Sequence, residues 1–242
     1  MTNNKNSHLV PVAIIVAGLL IAGAIFYSYQ SPKNSGDKKE TSKKEIQNQL
    51  GSAVKAIENI EPINSDDHIR GNPEAPIKLV VFSDTECPFC KNFHQTMNEI
   101  MKEYGKDGRL SWVYRHFPLV QIHPKAFKEA EALECANELG NNDKFWEYLD
   151  KIFAITPGNN NLNPDLLPQI AQDIGLERQK FEECLESGKY EERVKEDTQD
   201  AIESGARGTP YSIVIAKNGE KFEINGAQPY SAVKSIIDSA LK

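Results

Sequence analysis

The stretch Leu79-Val80-Val81-Phe82-Ser83-Asp84-Thr85-Glu86-Cys87-Pro88-Phe89-Cys90-Lys91 joins an apolar run to a pair of cysteines across a short polar break. Ile77 to Phe82 is rich in β-branched residues, interrupted only by Lys78, and reads as a buried strand. Beyond the break, Phe89, Phe93, Met97, Ile100 and Tyr104 recur every three or four residues, the apolar stripe of a helix. Cys87 therefore falls where a strand hands over to a helix, and Cys90 lies one turn inside. The first turn of a helix presents unpaired N–H groups and the positive end of the helix dipole, and both stabilise a thiolate. Cys87 is thus expected to be the attacking sulfur, with a depressed pKa, and Cys90 the more buried, resolving thiol. Pro88 suits an early helical position, because the N–H it lacks would be unpaired there anyway. Asp84 and Glu86 oppose the thiolate by charge, and no Lys or Arg precedes Lys91 nearby.

A C-x-x-C spacing also serves zinc ribbons, which need a second ligand pair. The remaining cysteines, Cys135 and Cys184, form no such pair, so no metal site is expected. A structural disulfide within a turn is the plainer alternative; the strand-to-helix placement favours a redox dithiol. A module holding a soft metal such as Cu(I) on Cys87 and Cys90 is a third reading, disfavoured because no methionine or histidine clusters around the pair.

Outward from this stretch, Gly71-Asn72-Pro73-Glu74-Ala75-Pro76 is turn-rich, and His68 to Arg70 reads as a short edge strand. The cysteine-bearing helix is expected to end near Tyr104, with Gly105 at the C′ position. Arg109 to Phe117 is a second strand, so strand, helix and strand make a βαβ unit with parallel pairing. From His123 to about Ser204 the pattern is almost entirely helical, broken by the loop Thr156 to Pro164. Tyr211 to Ala216, the turn at Asn218-Gly219 and Lys221 to Ile224 form a hairpin, and a last helix follows Gln228. The order is that of an α/β, thioredoxin-like fold with a helical insertion at about 123–204. His94, at i+4 from Cys90, reads as a solvated rim histidine. His116 and His123 read as structural, ending a strand and starting a helix.

The chain has 242 residues, and its net charge of −7 argues against nucleic acid as a partner. Residues 9–29 carry no charged side chain and are long enough to cross a bilayer, which needs about 20 apolar residues. An uncleaved N-terminal transmembrane helix is the first reading; Ala22-Gly23-Ala24 offers a cleavage site for a removed signal as the second. Residues 31–62 read as a tether. Ser31 to Lys44 is Lys- and Ser-rich, and a short helix carries Ile46, Leu50, Val54, Ile57 and Ile60. The expected organisation is an anchor or signal at 1–30, the tether at 31–62 and the folded domain at 63–242.

With these residues in place, the chain resembles the DsbA-like branch of the thioredoxin superfamily, in particular its membrane-anchored or secreted thiol:disulfide oxidoreductases. The resemblance runs from about Asp66 to Lys242. It rests on Gly71 to Pro76, Phe82-Ser83-Asp84 before Cys87-Pro88-Phe89-Cys90, Arg115-His116-Phe117-Pro118-Leu119 with His123-Pro124, Cys135-Ala136 with Phe145-Trp146, and Gly208-Thr209-Pro210. It implies that Thr209-Pro210 is the cis-proline loop facing the dithiol, where an extended substrate chain pairs with the backbone. Pro88 and Phe89, between the cysteines, tune the site. Thioredoxin-like enzymes often bury a carboxylate six residues before the nucleophile; here that position is Val81. Cys135 and Cys184 are expected to form a structural disulfide, the alternative being two buried thiols.

No cofactor beyond the cysteine pair is expected. The implied activity is the introduction of disulfides into unfolded exported proteins bearing thiols, with reoxidation by a membrane quinone-linked partner; a reductase or isomerase of the same fold is the alternative. The lysines after residue 29 would by themselves keep the domain in the cytoplasm. A large domain translocates regardless of flanking charge, and dithiol chemistry suits an oxidising space, so an extracytoplasmic domain is expected.

Overall fold

The computed structural model describes residues 56–242. The expected span at 9–29 and most of the tether lie outside the described residues. Among the described residues, no helix is long and apolar enough to cross a membrane.

Five strands form one sheet: β1 (His68–Gly71), β2 (Ile77–Ser83), β3 (Leu110–His116), β4 (Tyr211–Ile215) and β5 (Lys221–Asn225), in the order β1-β3-β2-β4-β5. β2 pairs in parallel with β3, setting Ser83 opposite His116, and antiparallel with β4. The central β2 is covered on both faces, which explains its nearly unbroken apolar run. Helix α1 (Pro88–Ile100) crosses between β2 and β3.

The insertion comprises α2 (Ala126–Ile155), α3 (Leu166–Asp173), α4 (Arg178–Ser187) and α5 (Glu191–Glu203); α6 (Tyr230–Ala240) closes the chain. α2 is two helical segments meeting at Gly140 and Asn141, whose backbone leaves the helical region; Ala126, Ala130 and Leu133 are buried along the first segment and Phe145, Tyr148, Leu149 and Ile152 along the second. One sheet face, carrying Leu79, Val81, Trp112 and Tyr114, packs against the cysteine helix, α2 and α6. The other, carrying Val80, Phe82, Val113 and Ile213, is covered by Ile57, Ile60 and Ala201 of α5.

Cys135 and Cys184 are disulfide-bonded, tying α2 to α4 across 49 residues of chain. The end of α1 differs from expectation. The α-helix stops at Ile100 and a π-helical turn, Met101–Gly105, follows. Gly105 is no left-handed cap; the methyl end of the Met101 side chain lies over it. The left-handed glycine is Gly108, at φ +74°.

Candidate active site

Cys87 is the N-cap of α1, in extended backbone conformation, with Pro88 at the first helical position. Both cysteines are free thiols. Cys90 is 1% exposed and Cys87 5%, so the second sulfur is sealed beneath the first. The Cys87 thiol faces the Thr209 carbonyl at 3.5 Å, and the Thr209-Pro210 peptide is cis. The backbone N–H of Asp84 donates to Cys90 Sγ at 3.4 Å.

The neighbouring Cys90 thiol stabilises the Cys87 thiolate against the cost of burial, helped by Thr209 and the backbone N–H groups of Cys90 and Phe89, and holds its pKa down to about 6. The largest cause is thus the partner thiol, with the helix N–H groups as support. Burial, together with the Cys87 charge, pushes the Cys90 thiol well up. The two pKa values are driven apart, giving one thiolate and one protonated thiol at neutral pH.

Asp84 and Glu86 are occupied elsewhere. Asp84 accepts from the backbone N–H of Glu86 and Leu119 and faces His123 Nδ1 at 2.9 Å. Glu86 accepts from the backbone N–H of Asn161 and Leu162, and its carbonyl accepts from Asn159. These bonds clamp the loop after α2 against the turn that carries Cys87. Lys91 reaches the carbonyl of Thr156 in the same loop. Phe89 is 62% exposed, and Val120 and Ile122 are also exposed, on the loop that leaves the same end of the sheet.

His94 corrects the expectation of a solvated residue. It is buried against Trp112 and Phe153, with Nε2 at 2.7 Å from Asp150, and burial lowers its pKa. His116 and His68 both direct Nε2 at Glu134 Oε1, at 2.8 Å each. Arg115 is buried between Asp67 and Asp200. These groups tie the sheet edge to the insertion.

Sequence reasoning passed over Glu129, which is 2% exposed on the first turn of α2 and accepts from Thr85 Oγ1 at 2.5 Å. Burial, opposed by Thr85 and reinforced by the nearby Glu86 and Asp84, pushes its pKa up to about 8. Its signal was its place in the apolar stripe, three residues after Ala126 and four before Leu133.

A family model described as thioredoxin matches residues 64–239. The chain belongs to the thioredoxin family. Among solved structures, it is similar to DsbA2 of Pseudomonas aeruginosa, at 25% identity and a TM-score of 0.63, covering 74% of this chain and 96% of that one. Oxidised BdbD of Bacillus subtilis shares the fold at 24% identity and a TM-score of 0.65, over 75% of this chain and 96% of that one. Within the family, this chain is DsbA-like. Among curated relatives, a Na(+)/H(+) antiporter NhaA 3 of Salinispora tropica is 32% identical over 192 residues, 79% of this chain and 27% of that protein. The chain spans about a quarter of the length of the curated relatives it matches.

Proposed function

We propose that the protein is a thiol:disulfide oxidoreductase that introduces disulfides into exported proteins. The observation that carries this is the Cys87 sulfur at the tip of α1, above the buried Cys90 and 3.5 Å from the Thr209 carbonyl of the cis Thr209-Pro210 loop. In the oxidised form, a substrate thiolate attacks Cys87 Sγ, and the Cys87–Cys90 bond breaks. The mixed disulfide passes through Cys87. The substrate's second thiol resolves it, leaving Cys87 as thiolate and Cys90 as thiol. A stabilised thiolate favours the reduced enzyme and so favours passing the disulfide on, which is the oxidase direction. Thr209 and Pro210 line the substrate side of the sulfur. Phe89, exposed beside it, offers an apolar contact to an unfolded chain.

No separate cofactor enters this scheme. Residues 9–29 anchor the chain, with the catalytic domain on the extracytoplasmic side, and a membrane quinone-linked partner accepts the electrons. The domain proper is taken as 63–242, with Ile57 and Ile60 of the preceding segment packed on its sheet, and Cys135–Cys184 has a structural role. A reduced, unfolded protein with known native disulfides tests the reading. Oxidised wild type should restore its disulfides in proportion to the enzyme added, and Cys87→Ser should restore none. Full restoration by Cys87→Ser would reject it.

A further inference from the structure

Reduction of the dithiol raises a proton problem that Val81, an apolar residue of β2 that packs in the same core as the two cysteines, cannot solve. Three carboxyl groups are buried around the turn before α1: Asp84, Glu86 and Glu129. Asp84 and Glu86 already accept backbone N–H bonds that fix the turn and its neighbouring loop. Among the described residues, the Glu129 carboxyl accepts from Thr85 alone, and it lies against the carboxyl of Glu86, the residue before Cys87. Two carboxyls that share a dry site do not both ionise readily; one keeps a proton. Among the described residues, no Lys, Arg or His is ion-paired to Glu129. The titratable groups that face it are Glu86 and Asp84 in the turn and Tyr148 further along α2, with His123 behind Asp84.

We propose that Glu129 is the proton-holding positioning residue of the dithiol: it takes up a proton when the Cys87–Cys90 bond is reduced and returns it when the bond re-forms. This rests on the exchange reaction proposed above. Two glutathione thiols supply two electrons and two protons; the glutathione disulfide forms and the Cys87–Cys90 bond breaks. One proton stays on Cys90. Cys87 remains a thiolate, so the second proton has no sulfur to sit on, and Glu129 receives it. The new negative charge on Cys87 raises the proton affinity of the buried Glu129, whose carboxyl lies against that of Glu86, the residue before Cys87. The oxidised form lacks that charge, so Glu129 releases its proton at lower pH there.

The test is the pH dependence of the equilibrium with glutathione, read between pH 7 and pH 8. If Cys87 stays ionised and nothing else titrates, reduction releases one proton, and the constant shifts tenfold per pH unit toward reduction. Wild type should shift less, roughly three- to sixfold per unit, because Glu129 absorbs part of that proton. Glu129→Gln should restore the tenfold shift. Carbon NMR of the Glu129 carboxyl in wild type needs no variant, and should show a higher titration midpoint in reduced than in oxidised protein. Thr85→Val, which removes the hydroxyl that donates to Glu129, should raise that midpoint in both forms. A midpoint unmoved by redox state, or a tenfold shift in wild type itself, would overturn the proposal while leaving exchange at Cys87 intact. Absence of any exchange in wild type would instead reject the underlying reaction.

Discussion

Replacing Cys87 by Ser in the reduced protein should produce a loss of stability that depends on pH in one direction only. The Cys87 thiol titrates at about 6 in the fold against an ordinary value of 9.0. A depressed acid stabilises the fold fully above its unfolded pKa, and that contribution is lost as pH falls through the folded value. Each pKa unit corresponds to about 1.4 kcal/mol. Discounted for the part of the sulfur that meets solvent, the contribution is about 1 kcal/mol at pH 7 and about 2 kcal/mol at pH 8. At pH 5 both states hold the proton and the contribution vanishes. Cys90, pushed well up, keeps its proton in folded and unfolded chains across this window. The assay is urea unfolding under a non-thiol reductant at pH 5, 7 and 8, comparing wild type with Cys87→Ser. The stability gap should widen by about 2 kcal/mol from pH 5 to pH 8. A gap independent of pH, or one that widens on acidification, refutes the thiolate.

Three further outcomes follow from the same structure. Replacing both Cys135 and Cys184 by Ser opens a loop of 49 residues and should cost about 4 kcal/mol in urea unfolding, while the reactivity of Cys87 toward alkylating agents stays as in wild type. Arg115→Met leaves Asp200 buried without its cation and Asp67 with Arg193 at 3.9 Å, and should cost about 3 kcal/mol by the same measurement. Phe89→Ala removes a largely exposed ring and should leave stability within about 0.5 kcal/mol, while raising KM for an unfolded protein substrate.

Much of this was legible in the chain because local rules and tertiary packing agree. The apolar run of β2, the stripe of α1 and the N-terminal Pro88 all specify a strand-to-helix turn with Cys87 at its tip. The parallel pairing of β2 with β3 follows from the connection between them. Thr209 and Pro210 meet Cys87 only through the resemblance, since over a hundred residues separate them. The acids of α2 were illegible for a physical reason. Glu129, Glu131 and Glu134 carry the charge of a solvated face yet all three are buried, and Glu134 is held by histidines from β1 and the end of β3. Their partners lie on other elements, which periodicity does not report. His94 was misread likewise, because Asp150 and Trp112 reach it from elsewhere in the chain. The end of α1 departs from expectation because Gly105 signals a cap by identity, whereas the chain runs on through a π-helical turn and turns left-handed only at Gly108.

The central claim is that Cys87 is the sulfur through which client chains exchange. The direct measurement is intact-mass analysis after a Cys90→Ala variant, activated as a mixed disulfide with a small thiol, meets a reduced, unfolded protein. The account predicts a covalent client adduct on Cys87 that dithiothreitol releases, and none with Cys87→Ala. An adduct on Cys90 in Cys87→Ala at the same rate, or none with either variant, would contradict it.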